Sequence, residues 1–377
     1  MSGGPRAIAG RRALLATTAA VAFLALLGGL ARLGVMAVPV NVAVVAHGPL
    51  FVCGVFVTVI SLERAVALGQ AWGYLGPALA AGGALMLIFG VAAAPWLMLA
   101  ASAWLGLVNA AIVRRQAALF TGLMLWGSVL LVLGTVGWVA GRPVFVVVVP
   151  WLAFFILTIL AERLELSRLA PTPPWATRAL AALALLFGLA AGAAMAGSTV
   201  AAQATGVLLV LLALWQLRFD IARRTLRRRG LPRFVATGVL LGAMWLLVAG
   251  ALLTAGPLPP AGPRYDAVVH AVLVGFVLSM VFAHAPIILP AVARLEVPFH
   301  RALYAAVLVL HAGLALRIVG DLAGIVAWRQ VGGVANALAL VLFAATVIWA
   351  RRRGVGRLGP TRPGDSPRPA CPPTAPA

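Results

Sequence analysis

Apolar positions in this chain arrive in unbroken runs rather than in an alternating pattern, and short polar connections separate the runs. Each run reaches about 20 residues, the length that a helix needs to cross a hydrocarbon core about 30 Å thick. The runs fall near 13–34, 42–62, 75–93, 95–113, 117–140, 143–161, 178–198, 199–217, 234–256, 266–290, 301–320 and 331–350. In lipid every backbone polar group must find its partner within the protein, so each run is read as a helix. The pattern predicts an all-α, polytopic bundle of about twelve spans. Its tightest turns fall at Pro95 and Ser198. The division is a short N-terminal tail (1–12), a transmembrane domain (13–350) and an Arg/Pro-rich tail (351–377).

Composition and charge refine the picture. Hydrophobic residues make up 63% of the chain and charged residues 10%, against roughly 25% charged in soluble domains. The net charge of +21 is carried by arginine alone. Most of these arginines sit in alternate connections: Arg6, Arg11 and Arg12, then Arg64, Arg114 and Arg115, Arg163, Arg168 and Arg178, the segment 218–233, Arg294 and Arg301, and 351–357. That alternation is the positive-inside pattern. It predicts cytoplasmic termini in a multi-pass protein of the plasma (inner) membrane, and accounts for the charge without nucleic acid. Gly10-Arg11-Arg12 hints at a twin-arginine leader. The first apolar run is longer than the 7–15 residues of a signal core, and is read as a retained helix. The tail from Gly354 onward is Pro-rich with no apolar face and is expected to be disordered. It holds Cys371, far from Cys53 in the second span, so no disulfide framework is expected. There is no C-x-x-C-H, Walker, G-x-S-x-G or H-E-x-x-H sequence, which sets aside c-type haem, ATP-driven motors and the common hydrolases.

Histidines supply the candidate chemistry. His47 and His270 each interrupt a membrane-length apolar stretch, where ionisable side chains are costly and functional by default. Counting 1.5 Å per residue from each span's outer end puts them roughly 8 Å and 6 Å below the same boundary. Two imidazoles at one depth on different helices suit a metal or a haem iron held between them. Gly54 and Gly275 lie below them and are expected to let a flat ligand approach, and Pro49 is expected to free a carbonyl that orients His47. Arg317, Arg264 and Arg329, with Arg32, mark the same outer rim, where guanidinium groups suit carboxylates. Arg317 is equally placed to pair with Asp321 at i,i+4. His284 and His311, with Met280, are candidates for a second, softer metal site accepting copper, or else buried polar contacts. His300 falls in a basic connection.

Twelve spans, with one histidine in the second and another in the tenth segment DAVVHAVLVGFVLSM, resemble the haem–copper oxidase subunit I superfamily. The segment HAVLVGFVLSMVFAHAPIILP is also similar to a late helix of the NnrS family, twelve-span proteins that hold haem and copper and are linked to nitric oxide metabolism. The resemblance implies a low-spin haem b on His47 and His270. Departures are specific: no histidine lies between Arg142 and Ser198, where the oxidases build their copper centre, and residue 272 is Val rather than a second haem ligand. The expectation is therefore a haem protein of electron transfer, sensing or nitric oxide handling. It would meet a redox partner in the membrane or periplasm and is not a full oxidase or reductase. The alternative from another class is a secondary, proton-coupled transporter using His47, Glu63, Arg64 and the His270–His284 stripe.

Overall fold

The computed structural model describes residues 4–37, 41–166 and 172–355. Twelve of its helices are long and apolar enough to cross a membrane. They are α1 (Pro5–Arg32), α2 (His47–Leu68), α3 (Ala71–Ile88), α4 (Ala94–Arg115), α5 (Leu119–Val139), α6 (Val144–Leu166), α7 (Pro174–Ala194), α8 (Thr199–Phe219), α9 (Leu231–Leu253), α10 (Pro263–Ala293), α11 (Leu303–Ala323) and α12 (Val326–Arg353). No strand occurs among the described residues. Arg168, Cys371 and the Pro-rich tail from residue 356 lie outside them.

The two tight turns form for local reasons. Pro95 sits in the first turn of α4, where its missing N–H costs nothing, and the Ser198 hydroxyl caps α8 by accepting from the Ala201 amide at 3.2 Å. Several boundaries differ from the apolar runs. The second span begins at His47 rather than 42, because residues Asn41–Val45 form a separate short helix that breaks at Ala46. It continues to Leu68, where Gly69 adopts the left-handed conformation that ends helices. Hydropathy locates spans, but caps locate their ends.

Neighbours in sequence pack as antiparallel pairs, most extensively α11 with α12 and α5 with α6. Small residues permit this. A side chain at Gly313 or Gly320 of α11 would collide with α12, and in lipid such close packing replaces the hydrophobic drive between helices. The bundle closes through α1. Its Arg11 and Arg12 donate to the Val292 and Ala293 carbonyls at the end of α10 (3.3 and 3.1 Å), and Gln330 of α12 donates to the Leu33 carbonyl after α1 (3.2 Å).

The most enclosed spans are α2, α6 and α10, with 67%, 72% and 72% of their apolar windows buried against 22% for α1. Two of these three, α2 and α10, carry His47 and His270. Both are also irregular: Leu50–Phe56 of α2 and Ala271–Leu278 of α10 are π-helical, each run starting within a turn of its histidine. Pro49, which lacks an N–H, stands immediately before the first run. π-Helical turns are rare and concentrate at functional sites.

At the opposite end of these helices the buried charges are paired. Arg163 of α6 makes a two-pronged ion pair with Asp220 (2.9 and 2.7 Å), and Arg64 of α2 bonds Glu63 at 2.7 Å and lies 3.7 Å from Glu162. Buried ions persist only when paired and hydrogen-bonded, so these contacts fix α2, α6 and the connection after α8 relative to one another.

Candidate cofactor site

A cavity of about 460 Å³ opens among the ends of α1, α2, α10, α11 and α12, within the roughly 300–1,000 Å³ typical of small-molecule and cofactor sites. His47 and His270 both line it. His47 stands in the first turn of α2, and His270 ends the first regular stretch of α10. Apolar side chains share the lining with them, among them Phe51, Phe56, Leu273 and Val274.

The orientation of each ring is set by a backbone carbonyl. His47 Nδ1 lies 2.6 Å from the Ala25 oxygen of α1, and His270 Nδ1 lies 2.8 Å from the Asp266 oxygen one turn earlier in α10. A carbonyl only accepts, so each Nδ1 carries the hydrogen and each Nε2 keeps its lone pair. No donor among the described residues reaches either Nε2. The Asp266 carboxylate also lies 3.3 Å from His270 Nδ1, and Arg317 of α11 holds that carboxylate with two bonds of 2.7 and 2.8 Å. The result is a guanidinium–carboxylate–imidazole chain reaching the cavity. Such partners orient a ligating ring and raise its basicity.

The other buried histidines are used differently. His311 accepts from Trp245 Nε1 at Nδ1 (2.8 Å), so its Nε2 carries the hydrogen and donates to Ser279 Oγ (3.2 Å), which donates to the Gly238 carbonyl (2.8 Å). His284 donates from Nδ1 to the Met280 carbonyl (2.9 Å) and accepts from Arg163 at Nε2 (3.4 Å). Both nitrogens of both rings are engaged by protein. For the second site expected on His284, His311 and Met280, the hydrogen bonds place the two rings in separate networks.

Further expectations change. Gly54 and Gly275 do not line the cavity; Gly54 packs against Ala84 and Met98, and Gly275 against the Trp245 ring, so they serve helix packing. Pro49 does not free the carbonyl that orients His47, since that carbonyl comes from α1. Arg317 pairs with Asp266 across helices, while Asp321 faces Arg329 at 3.4 Å. Arg264 is turned outward onto the Pro257 carbonyl. Arg32, Arg317 and Arg329 all line the rim.

Sequence reasoning missed Ala25, Gly29 and Asp266. A Cβ on Gly29 would stand 2.5 Å from His47 Cε1, so the bare backbone of α1 makes room for the ring. The adjacent Gly28 does the same for the Ala43 carbonyl. The Gly28-Gly29 pair and the Asp266–His270 spacing of four were the available signals, but neither names its partner.

Among known proteins, a family model described as a domain of unknown function (DUF8744) matches residues 11–352. No curated protein matches, and no solved structure matches.

Proposed function

The chain belongs to this family of unknown function, and we propose that it is a membrane haem protein holding one haem b between His47 and His270. The observation that carries this reading is the pairing of the ring nitrogens. Of the four histidines within the spans, two keep an Nε2 without a protein partner among the described residues, and both residues line one cavity. The lining supports this reading: apolar side chains for the macrocycle, two imidazoles, and Arg32, Arg317 and Arg329 for its carboxylates. His47 and His270 would hold the haem, which would supply one-electron chemistry. That suits electron transfer or sensing, including sensing linked to nitric oxide, in company with a redox partner. Arg317 and Asp266 would set the charge around it. The resemblance to the NnrS family and to haem–copper oxidase subunit I supports the same ligand pair, and the engaged rings of His284 and His311 argue against resident copper.

The protein purified in detergent should show a Soret band and sharp α and β bands on reduction, with one haem per chain. A spectrum free of visible bands would overturn the haem reading and favour the secondary transporter instead. The alternating arginines support cytoplasmic termini in the plasma (inner) membrane, with the cavity at the outer end. A reporter fused after Ala377 should be active on the cytoplasmic side; periplasmic activity would reverse the orientation.

A further inference from the structure

A second cavity, of about 190 Å³, opens among the ends of α6, α7, α8 and α9. It lies at the same end of the bundle as the cofactor cavity, and Phe145 of α6 borders both. Its volume is below the roughly 300–1,000 Å³ of small-molecule sites, which suits a narrow chain rather than a ring system. Val149, Met195 and Leu258 line it with Phe145. Thr205 lines it too, but its hydroxyl already donates to the Ala201 carbonyl at 2.8 Å. The interior is apolar.

The charge at this groove is all positive. Arg142 lines it, is exposed, and stands two residues before α6 begins. No hydrogen bond or ion pair joins its guanidinium to another described residue. Arg264 reaches the same rim, where it donates to the carbonyl of Pro257, another lining residue. No Asp or Glu occurs in the segments that form the rim, 140–149, 194–205 and 253–262. The chain itself therefore supplies Arg142 with no counter-ion.

We propose that this groove holds an anionic phospholipid, with one acyl chain in the apolar interior and the phosphodiester on Arg142. At the end of a membrane span, acyl chains and phosphate groups meet at one depth, and the groove asks for both together. A guanidinium matches phosphate with paired, permanently charged donors. An added anionic headgroup brings further negative charge to a rim that carries Arg142 and Arg264 and no acid. Charge alone would seat a lipid at any exposed arginine; the apolar cavity fixes it beside α6. Through Phe145, the lipid then sits one side chain away from the cofactor cavity. The proposal goes beyond the haem reading and does not depend on it.

Native mass spectrometry of the full-length protein tests it, after delipidation in detergent and addition of phosphatidylglycerol or phosphatidylcholine with identical acyl chains. One phosphatidylglycerol per chain should be retained in preference to phosphatidylcholine. Arg142→Gln should weaken that binding about tenfold, the order of one charge-assisted hydrogen bond, and Arg142→Lys should lose less. Val149→Trp fills the groove, leaves the charge in place, and should lose the same adduct. Arg229→Gln, at an exposed arginine of the segment 218–233, is the control and should bind as wild type does. Equal retention of the two lipids, or unchanged binding in Arg142→Gln, overturns the proposal. So does displacement of the lipid by excess inorganic phosphate, which would make the site one for free anions. A headgroup preference that survives Val149→Trp would reduce it to a surface contact and overturn the groove. The readout is lipid mass, so it is the same whether or not the protein shows haem bands.

Discussion

Alanine at either His47 or His270 is expected to abolish the six-coordinate, low-spin haem spectrum. Each ring lines the cavity with its Nδ1 engaged and no protein partner on Nε2 among the described residues, so on the proposed ligation either loss would leave iron with one protein ligand. The effect should be all-or-none in spectral form, with haem content reduced in both variants. His300→Ala is the matched control: that side chain is exposed and packs edge-on against Trp349, so spectrum and occupancy should be unchanged. His284→Ala should likewise retain haem, because both nitrogens of that ring already serve protein partners. Haem content and reduced-minus-oxidised spectra of the purified variants are the measurement. Full occupancy with an unchanged spectrum in His47→Ala or His270→Ala would sink the bis-histidine assignment.

The second large effect is expected at a residue with no ligand atom at all. Gly29→Ala would place a methyl group 2.5 Å from His47 Cε1 and 2.9 Å from Nδ1, where the ring has to leave the Ala25 carbonyl. Loss of a partner that orients a ligand costs roughly 10–100-fold in affinity, and haem retention should fall by that order. Alanine is the better helix former by roughly 1 kcal/mol, so the loss runs against what α1 itself gains. Gly122→Ala in α5, where a Cβ meets nothing within 4 Å, is the control for the exchange. Haem titration of the apoprotein measures both. Equal affinity in Gly29→Ala and wild type would show that contact with α1 does not position His47.

These expectations separate what is local from what is not. That His47 and His270 stand out is legible residue by residue, because an imidazole in a membrane-length apolar run is costly wherever the helix packs. The same holds for the spans, whose hydropathy depends on composition over about 20 residues. Helix ends were less legible. Gly69 and Ala46 shift α2 by several residues through backbone conformation, which hydropathy does not register. Arg317 shows the limit most directly: spacing alone offered it Asp321 on its own helix, and packing gave it Asp266 on α10.

The apolar and arginine patterns by themselves determined the helical class, the count of twelve spans and two candidate rings. Only the tertiary structure decided which ring nitrogens remain free. A histidine's capacity to bind a ligand depends on what both its nitrogens touch, and several of those partners lie far away in sequence. Ala25 is on α1 for His47, while Trp245 on α9 and Ser279 on α10 occupy His311, and Arg163 on α6 occupies His284. Hydropathy is a sum over neighbours along the chain, whereas hydrogen-bond satisfaction is settled pair by pair across packed helices. The same distinction hid Asp321: its carboxyl was placed at a helix end by the sequence and left without a donor by the fold.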